Sequence, residues 1–166
     1  MKNYQKIDKS NCISLSKGQV TIVSEDDYKY LSQYSWYFKP KKGNVGGYAK
    51  CDCFNEKRVY MHRVINKTPD GLFTDHINGN GLDNRRCNLR SCTNRQNLWG
   101  TGKSADNTSG YKGVTWDKEK RKWLAQIRTN YKYKFLGYFD DKKDAAKAYD
   151  LAAKEQRGEY AYQNFK

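Results

Sequence analysis

A run of small, polar, turn-forming residues, GTGKSADNTSG at 100–110, limits how this chain can fold, because neither a helical nor a strand period passes through it. The 166 residues fall to either side of it in two segments of different pattern. Domains extend down to about 50 residues, so two small domains are expected in place of one large core. Their expected bounds are 1–100, with a core at 59–99, and 110–166, with 101–109 as the linker.

Upstream, ISLSKGQVTIVS reads as two short strands around Lys17-Gly18. In the following EDDYKYLSQYSWYF, Tyr28, Leu31 and Trp36 can line one helical face. YAKCDCF and RVYMHRV, joined by Asn55-Glu56-Lys57, are expected to form a hairpin with a short polar loop.

Downstream, YKGVTW, KWLAQIRT and YKFLGYF are three strand-like runs, and the turns at 117–121 and 130–132 have lengths that suit antiparallel hairpins. In DDKKDAAKAYDLAAKEQRG, Ala145, Ala146, Tyr149, Ala152 and Ala153 recur with the helical period. Asp141 can cap the start and Gly158 can end it. An alanine face lets this helix lie close against a sheet. Alternation in the middle strand turns Trp123, Ala125 and Ile127 toward the helix and Lys122, Gln126 and Arg128 away from it.

The 32 Lys plus Arg against 18 Asp plus Glu leave a formal charge of +14, which points to a polyanionic partner. Eight of these cations lie between 111 and 134 against Asp117 and Glu119 alone, with aromatics interleaved, the footprint of a sheet that faces a nucleic-acid backbone. No run of about 18 apolar residues exists, and MKNYQKIDKSNCISL lacks an apolar signal core, so a cytoplasmic protein with no membrane partner is expected. Five cysteines are an odd number, which argues for reduced thiols. The spacings Cys51-x-Cys53 and Cys87-x4-Cys92 suit structural zinc poorly, and packing is the preferred reading.

Imidazole chemistry is confined to His62 and His76. The segment LFTDHINGNGLDNRRCNLRSCTNRQNLWG reads as a strand ending in Asp75-His76, a Gly/Asn loop, a second strand near Asn88 to Cys92, and a helix start. Thr93-Asn94-Arg95-Gln96 fits a capping box and puts Asn97 in the first helical turn. Such a unit can bring Asp75, His76, Asn88 and Asn97 together. Cutting a phosphodiester needs a base for water and a cation for the developing charge. His76 can be that base, Asp75 and Asn97 offer oxygen donors of the kind magnesium prefers, and Asn88 can hold the loop. Arg85, Arg86 and Arg90 are candidate phosphate contacts, with unpartnered surface arginines as the equal alternative.

DHINGN, followed by DNR, NLR and T-x-x-QN, resembles the HNH endonucleases of the ββα-metal class, in the branch found in phage-type and homing enzymes. The resemblance covers most of 10–100, where I-x-L-x-x-G, D-x-x-Y, a Trp, a Tyr-Ala strand and MHR precede the core in order. It implies His76 as general base, Asp75 and Asn97 as ligands of Mg2+ or Mn2+, and Asn88 as the asparagine that positions the base. Asn97 stands where the family name has His, as is common in this branch. His62 falls on a recurrent family position and is read as structural.

SGYKGVTW, KWLAQIR, FLGYFDD, AAKAYDLAA and the final G-x-x-A-x-x-NF resemble the AP2 domain over 109–165. That resemblance implies a sheet that enters the major groove with Lys112, Thr115, Lys122, Gln126, Arg128 and Tyr133 facing DNA. Trp116 is read as core in preference to flanking the groove. Thr115 and Phe135 depart from the plant factors, so their base preference does not carry over. The expected molecule is α+β: an N-terminal ββα-metal HNH nuclease domain plus a C-terminal AP2-like three-stranded antiparallel sheet with one packed helix. Its expected partner is double-stranded DNA, met as a monomer or as a dimer assembled on the DNA. A DNA-binding regulator with a silent nuclease half is the alternative. RNA is disfavoured, because a sheet shaped for the wide B-form groove does not enter the narrow A-form one.

Overall fold

In the computed structural model, residues 11–41, 46–54, 57–129 and 132–165 are described. Asn55 and Glu56 of the first expected hairpin turn and Asn130 of the last fall outside them, as does the side chain of Cys53. The chain divides into two compact units, Met1–Asn94 and Arg95–Lys166.

In the first unit, β1 (Cys12–Ser14) and β2 (Val20–Val23) pair antiparallel. Between them Lys17 and Gly18 both have positive φ, 61° and 64°, the left-handed pair that a tight hairpin demands. α1 (Glu25–Leu31) begins with three acidic residues, which suit the positive end of its dipole. Trp36 does not extend its face. It lies beyond the helix and donates its indole N–H to Leu31 O at 2.8 Å, which closes the helix end.

β3 (Tyr37–Pro40), β4 (Gly47–Phe54) and β5 (Lys57–Tyr60) form an antiparallel sheet. The expected second strand of this hairpin stops early, at Tyr60. MHRVIN turns instead into α2 (Met61–Asn66), because Met61, His62 and Ile65 share one helical face and all three are buried. β6 (Phe73–His76) and β8 (Leu89–Cys92) then pair antiparallel, and between them the two-residue β7 (Asp83–Asn84) joins β2 in parallel. Ile13, Leu15, Val23, Leu31, Trp36 and Met61 belong to the core that these elements share.

α3 (Asn94–Gly100) leads into the second unit, where β9 (Val114–Asp117), β10 (Lys122–Thr129) and β11 (Lys132–Phe139) form an antiparallel sheet with β10 in the middle. α4 (Lys142–Arg157) starts at Asp141, whose side chain accepts from Lys143 N at 2.5 Å, and ends at Gly158 with φ 55°. Its alanines pack on Val114, Ala125 and Ile127, while Trp123 is half-buried beside them. Close packing requires Gly113. Its φ is 79°, and a Cβ there would lie 2.0 Å from the Tyr149 ring. The stretch expected as a linker also has partners in this unit: Asn107 donates to Tyr111 O at 2.9 Å, and Ser109 is buried. The whole is a mixed α+β chain of several small sheets. No helix among the described residues is long and apolar enough to cross a membrane.

Candidate active site

His76 is the last residue of β6, opposite Leu89. Beyond it the asparagines of the loop fold the backbone back on itself. Asn78 Oδ1 accepts from Asn80 N at 2.9 Å, and Asn80 Oδ1 accepts from Leu82 N at 3.0 Å. Asn88 ties the two ends of the loop. Its Oδ1 accepts from Asn78 N at 3.0 Å, while its Nδ2 donates to Asp83 O at 2.7 Å and to Asn78 Oδ1 at 3.0 Å. Buried amides with all these partners hold geometry well, since breaking any one leaves an unpaired polar group. Gly81 lets the loop press on β4: a Cβ would lie 2.3 Å from Gly47 O and 2.8 Å from the Tyr48 ring.

The His76 imidazole is buried, with Nε2 at 3.1 Å from Asn84 Oδ1. Asn84 Nδ2 donates to Thr21 Oγ1 at 2.7 Å, and the Thr21 hydroxyl donates to Leu82 O at 2.8 Å. The edge of His62 meets the His76 ring at 5.1 Å, Tyr60 stacks on His62 at 5.4 Å, and Tyr48 adjoins both histidines. Burial lowers the pKa of His76, and Lys41 adds to that, against opposing effects of Asn84, Asp75 and Asp83. His62 is lowered to about 3, again by burial first, then by His76, Arg63 and Lys41. Both rings are neutral near pH 7, so His76 can take up a proton.

Asp75 faces Arg90 across the β6–β8 pair, and its Oδ2 accepts from Arg90 Nε at 2.9 Å and Nη2 at 2.7 Å. Arg85 grips Asp83 at 2.8 and 2.6 Å, and Arg86 grips Asp27 at 2.8 and 2.5 Å. Burial pushes the Asp83 carboxyl up, but the Arg85 contacts and the Asn78 hydrogen bond outweigh it and hold the group below its usual range. All three arginines expected at phosphates are therefore paired with carboxylates. Arg86 also fixes the loop to α1, since its N–H donates to Ser24 Oγ at 2.9 Å. Asn97 lies on α3, counted with the C-terminal unit. Among the described residues no group of three or more His, Cys, Asp or Glu is placed to hold a metal ion. Cys51 packs in the core and Cys92 is buried.

In the C-terminal unit the sheet face away from α4 is set by register. Leu124 opposes Thr115 and Tyr138, Gln126 opposes Phe135, and Arg128 opposes Tyr133, so these side chains share one face. The extra residue Leu136 bulges inward between the two halves of β11 and packs on the core. Lys122 reaches Asp140 at 3.2 Å at the sheet's end. Tyr133, Phe135 and Tyr138 stand exposed on the face.

Lys112 is not on that face. Its ammonium donates to Trp99 O at 3.1 Å and to Thr101 O, lies 5.3 Å from the Tyr162 ring, and burial beside Arg157 lowers its pKa to about 8. Trp116, read as core, is 42% exposed and meets Trp123 edge to face at 5.0 Å. Sequence reasoning missed Asn84, Thr21 and Tyr48. The one available signal was Thr21, a polar residue at an inward position of the strand Val20-Thr21-Ile22-Val23.

Residues 109–159 match the AP2 domain. An uncharacterized HNH endonuclease of Acanthamoeba polyphaga mimivirus is 29% identical over 148 residues, 89% of this chain and 76% of the viral protein. The likeness is thus to an AP2 domain over 109–159 and, over most of the chain, to a protein named as an HNH endonuclease. Protein 3.8 of Escherichia phage T7 is 39% identical over 59 residues, 36% of this chain and 49% of that protein. The AP2 match covers β9, β10, β11 and α4, the elements that build the open face.

Proposed function

We propose that the chain is a metal-dependent DNA endonuclease of homing or mobile-element type, acting in the cytoplasm, with a ββα-metal nuclease half and a C-terminal AP2 half that grips duplex DNA. The observation that carries this reading is the buried, neutral His76 at the end of β6, beside a loop that Asn88 ties at both ends. A neutral imidazole takes a proton from water near pH 7, and a rigid loop keeps it aimed. The similarity to a protein named as an HNH endonuclease supports the same chemistry.

Asp75 and Asn97 are the proposed ligands of Mg2+ or Mn2+. A carboxylate and an amide oxygen fit a hard ion that keeps several waters. When bound, such an ion polarises the phosphate and stabilises the departing 3′ oxygen. His76 accepts the proton of the attacking water, and Asn88 holds the loop that carries it. Thr115, Lys122, Gln126, Arg128 and Tyr133 contact DNA from the sheet face. One such site per chain cuts one strand, so a monomer nicks, and two copies on a near-palindromic site break both strands.

A second reading, a sequence-specific regulator whose nuclease half is silent, is favoured by the Asp75–Arg90 pair, which engages Oδ2 of the proposed ligand Asp75. Supercoiled plasmid carrying the DNA that flanks the protein's own gene separates the two. Wild type with magnesium or manganese is expected to relax it, EDTA to stop this, and His76→Ala to bind without cutting. Binding without cutting by wild type under every metal would establish the regulator instead.

A further inference from the structure

The geometry points to Asn84, locked in place by Thr21, as the residue that selects which nitrogen of His76 carries the proton; this rests on the reading of His76 as the base. The Leu82 backbone carbonyl can only accept. Thr21 Oγ1 lies 2.8 Å from Leu82 O and donates to it. The competing acceptor, the Met61 thioether, is 3.9 Å away and weak. With its one proton committed, the Thr21 oxygen must accept from Asn84, 2.7 Å away, and the amide nitrogen therefore faces Thr21. Asn84 Oδ1 is left facing His76 Nε2 at 3.1 Å, and an amide oxygen in that place requires Nε2–H. The neutral ring then has its lone pair on Nδ1, so Nδ1 is the atom that receives the proton of water.

Each partner in this relay is buried. Asn84 and Thr21 are 0% exposed, so water does not substitute for a lost partner. The relay also joins three elements, β2 with Thr21, β7 with Asn84 and β6 with His76, of which β2 lies far upstream of the loop. The parallel pairing of Val23 with Asn84 holds β7 on β2 and fixes the amide against the hydroxyl. Asn84 and Thr21 are thus positioning residues. They touch neither water nor phosphate, and act through the orientation and proton placement of one ring.

Two histidines make the test direct. Nitrogen-15 spectra of the imidazoles, assigned by comparison with His62→Phe, are expected to show His76 with a slowly exchanging Nε2–H and an unprotonated Nδ1. Asn84→Asp keeps an acceptor toward Nε2 and should keep that signal. Asn84→Leu, similar in size without an acceptor, should lose it, and Thr21→Val, which frees the amide to turn, should weaken it. If Asn84→Leu fails to fold, the Thr21→Val and wild-type spectra still decide. On plasmid, Asn84→Leu and Thr21→Val should lower kcat by about tenfold to a hundredfold with KM unchanged, as losses of orienting partners do, while Asn84→Asp retains most of it.

A wild-type spectrum with the proton on His76 Nδ1, or a folded Asn84→Leu with its Nε2–H signal intact, overturns the inference even if the protein nicks DNA. The expected spectra in a protein that never nicks would overturn the nuclease reading, and with it the catalytic part of this one.

Discussion

At the residue scale, a side chain's role follows from how many partners its polar atoms have. Asn88 uses both ends of its amide to close the loop, so Asn88→Ala should leave buried groups unpaired at a cost of roughly 1–3 kcal/mol each. Nicking should fall at least about tenfold while plasmid binding stays, as read by gel shift beside a relaxation assay. His62 has a buried Nδ1 with no partner among the described residues and a folded pKa of about 3 against 6.5 unfolded. The folded protein therefore binds fewer protons, and its stability is complete above 6.5 and declines as pH falls from there toward 3. Between pH 7 and 5 urea denaturation should show a loss of about 2 kcal/mol from this group. His62→Phe, facing His76, Arg63, Lys41, Tyr48 and Tyr60 without a proton to gain, should flatten that slope.

At the element scale, the AP2 unit depends on how near α4 can come to the sheet. Gly113 is the contact that limits it, with both a left-handed φ and no room for a Cβ against Tyr149. Gly113→Ala should destabilise the unit by roughly 1–3 kcal/mol from overpacking, plus about 1 kcal/mol from the backbone conformation. Thermal unfolding monitored by tryptophan fluorescence will show whether the melting point drops. The alanine face of α4, its Asp141 cap and its Gly158 stop were all legible in the sequence, because helical period and cap chemistry are local. The α2 helix was not. Three of the seven residues in RVYMHRV, Arg58, Val59 and Tyr60, do form the end of β5, and only the packing of Met61, His62 and Ile65 on the core decides for helix from Met61 onward.

At the scale of the whole molecule, a charge of +14 makes DNA affinity strongly dependent on salt. Each phosphate contact contributes roughly 0.9 to the slope of log K against log salt. Arg128→Gln on the exposed sheet face should therefore reduce that slope by roughly 1. Lys112→Gln should leave the slope unchanged and lower thermal stability, since the Lys112 ammonium is spent on Trp99 O and Thr101 O within its own unit. Fluorescence anisotropy on a labelled duplex at several salt concentrations measures both.

Local chemistry was enough to read the α+β content, the hairpins around Lys17-Gly18 and in the C-terminal sheet, and the alternation that divides Ala125 and Ile127 from Gln126 and Arg128. Periods, caps and turn residues act over a few positions, so they are written in consecutive letters. Pairing over long separations is not. That Asp27 would hold Arg86, that Asp75 would hold Arg90, and that Thr21 would reach the imidazole of His76 through Asn84 depend on which strands become neighbours. Each of those partners was present in the sequence as an ordinary charged or polar residue, and only the burial of the folded chain, which removes water as the competing partner, gave it one specific contact.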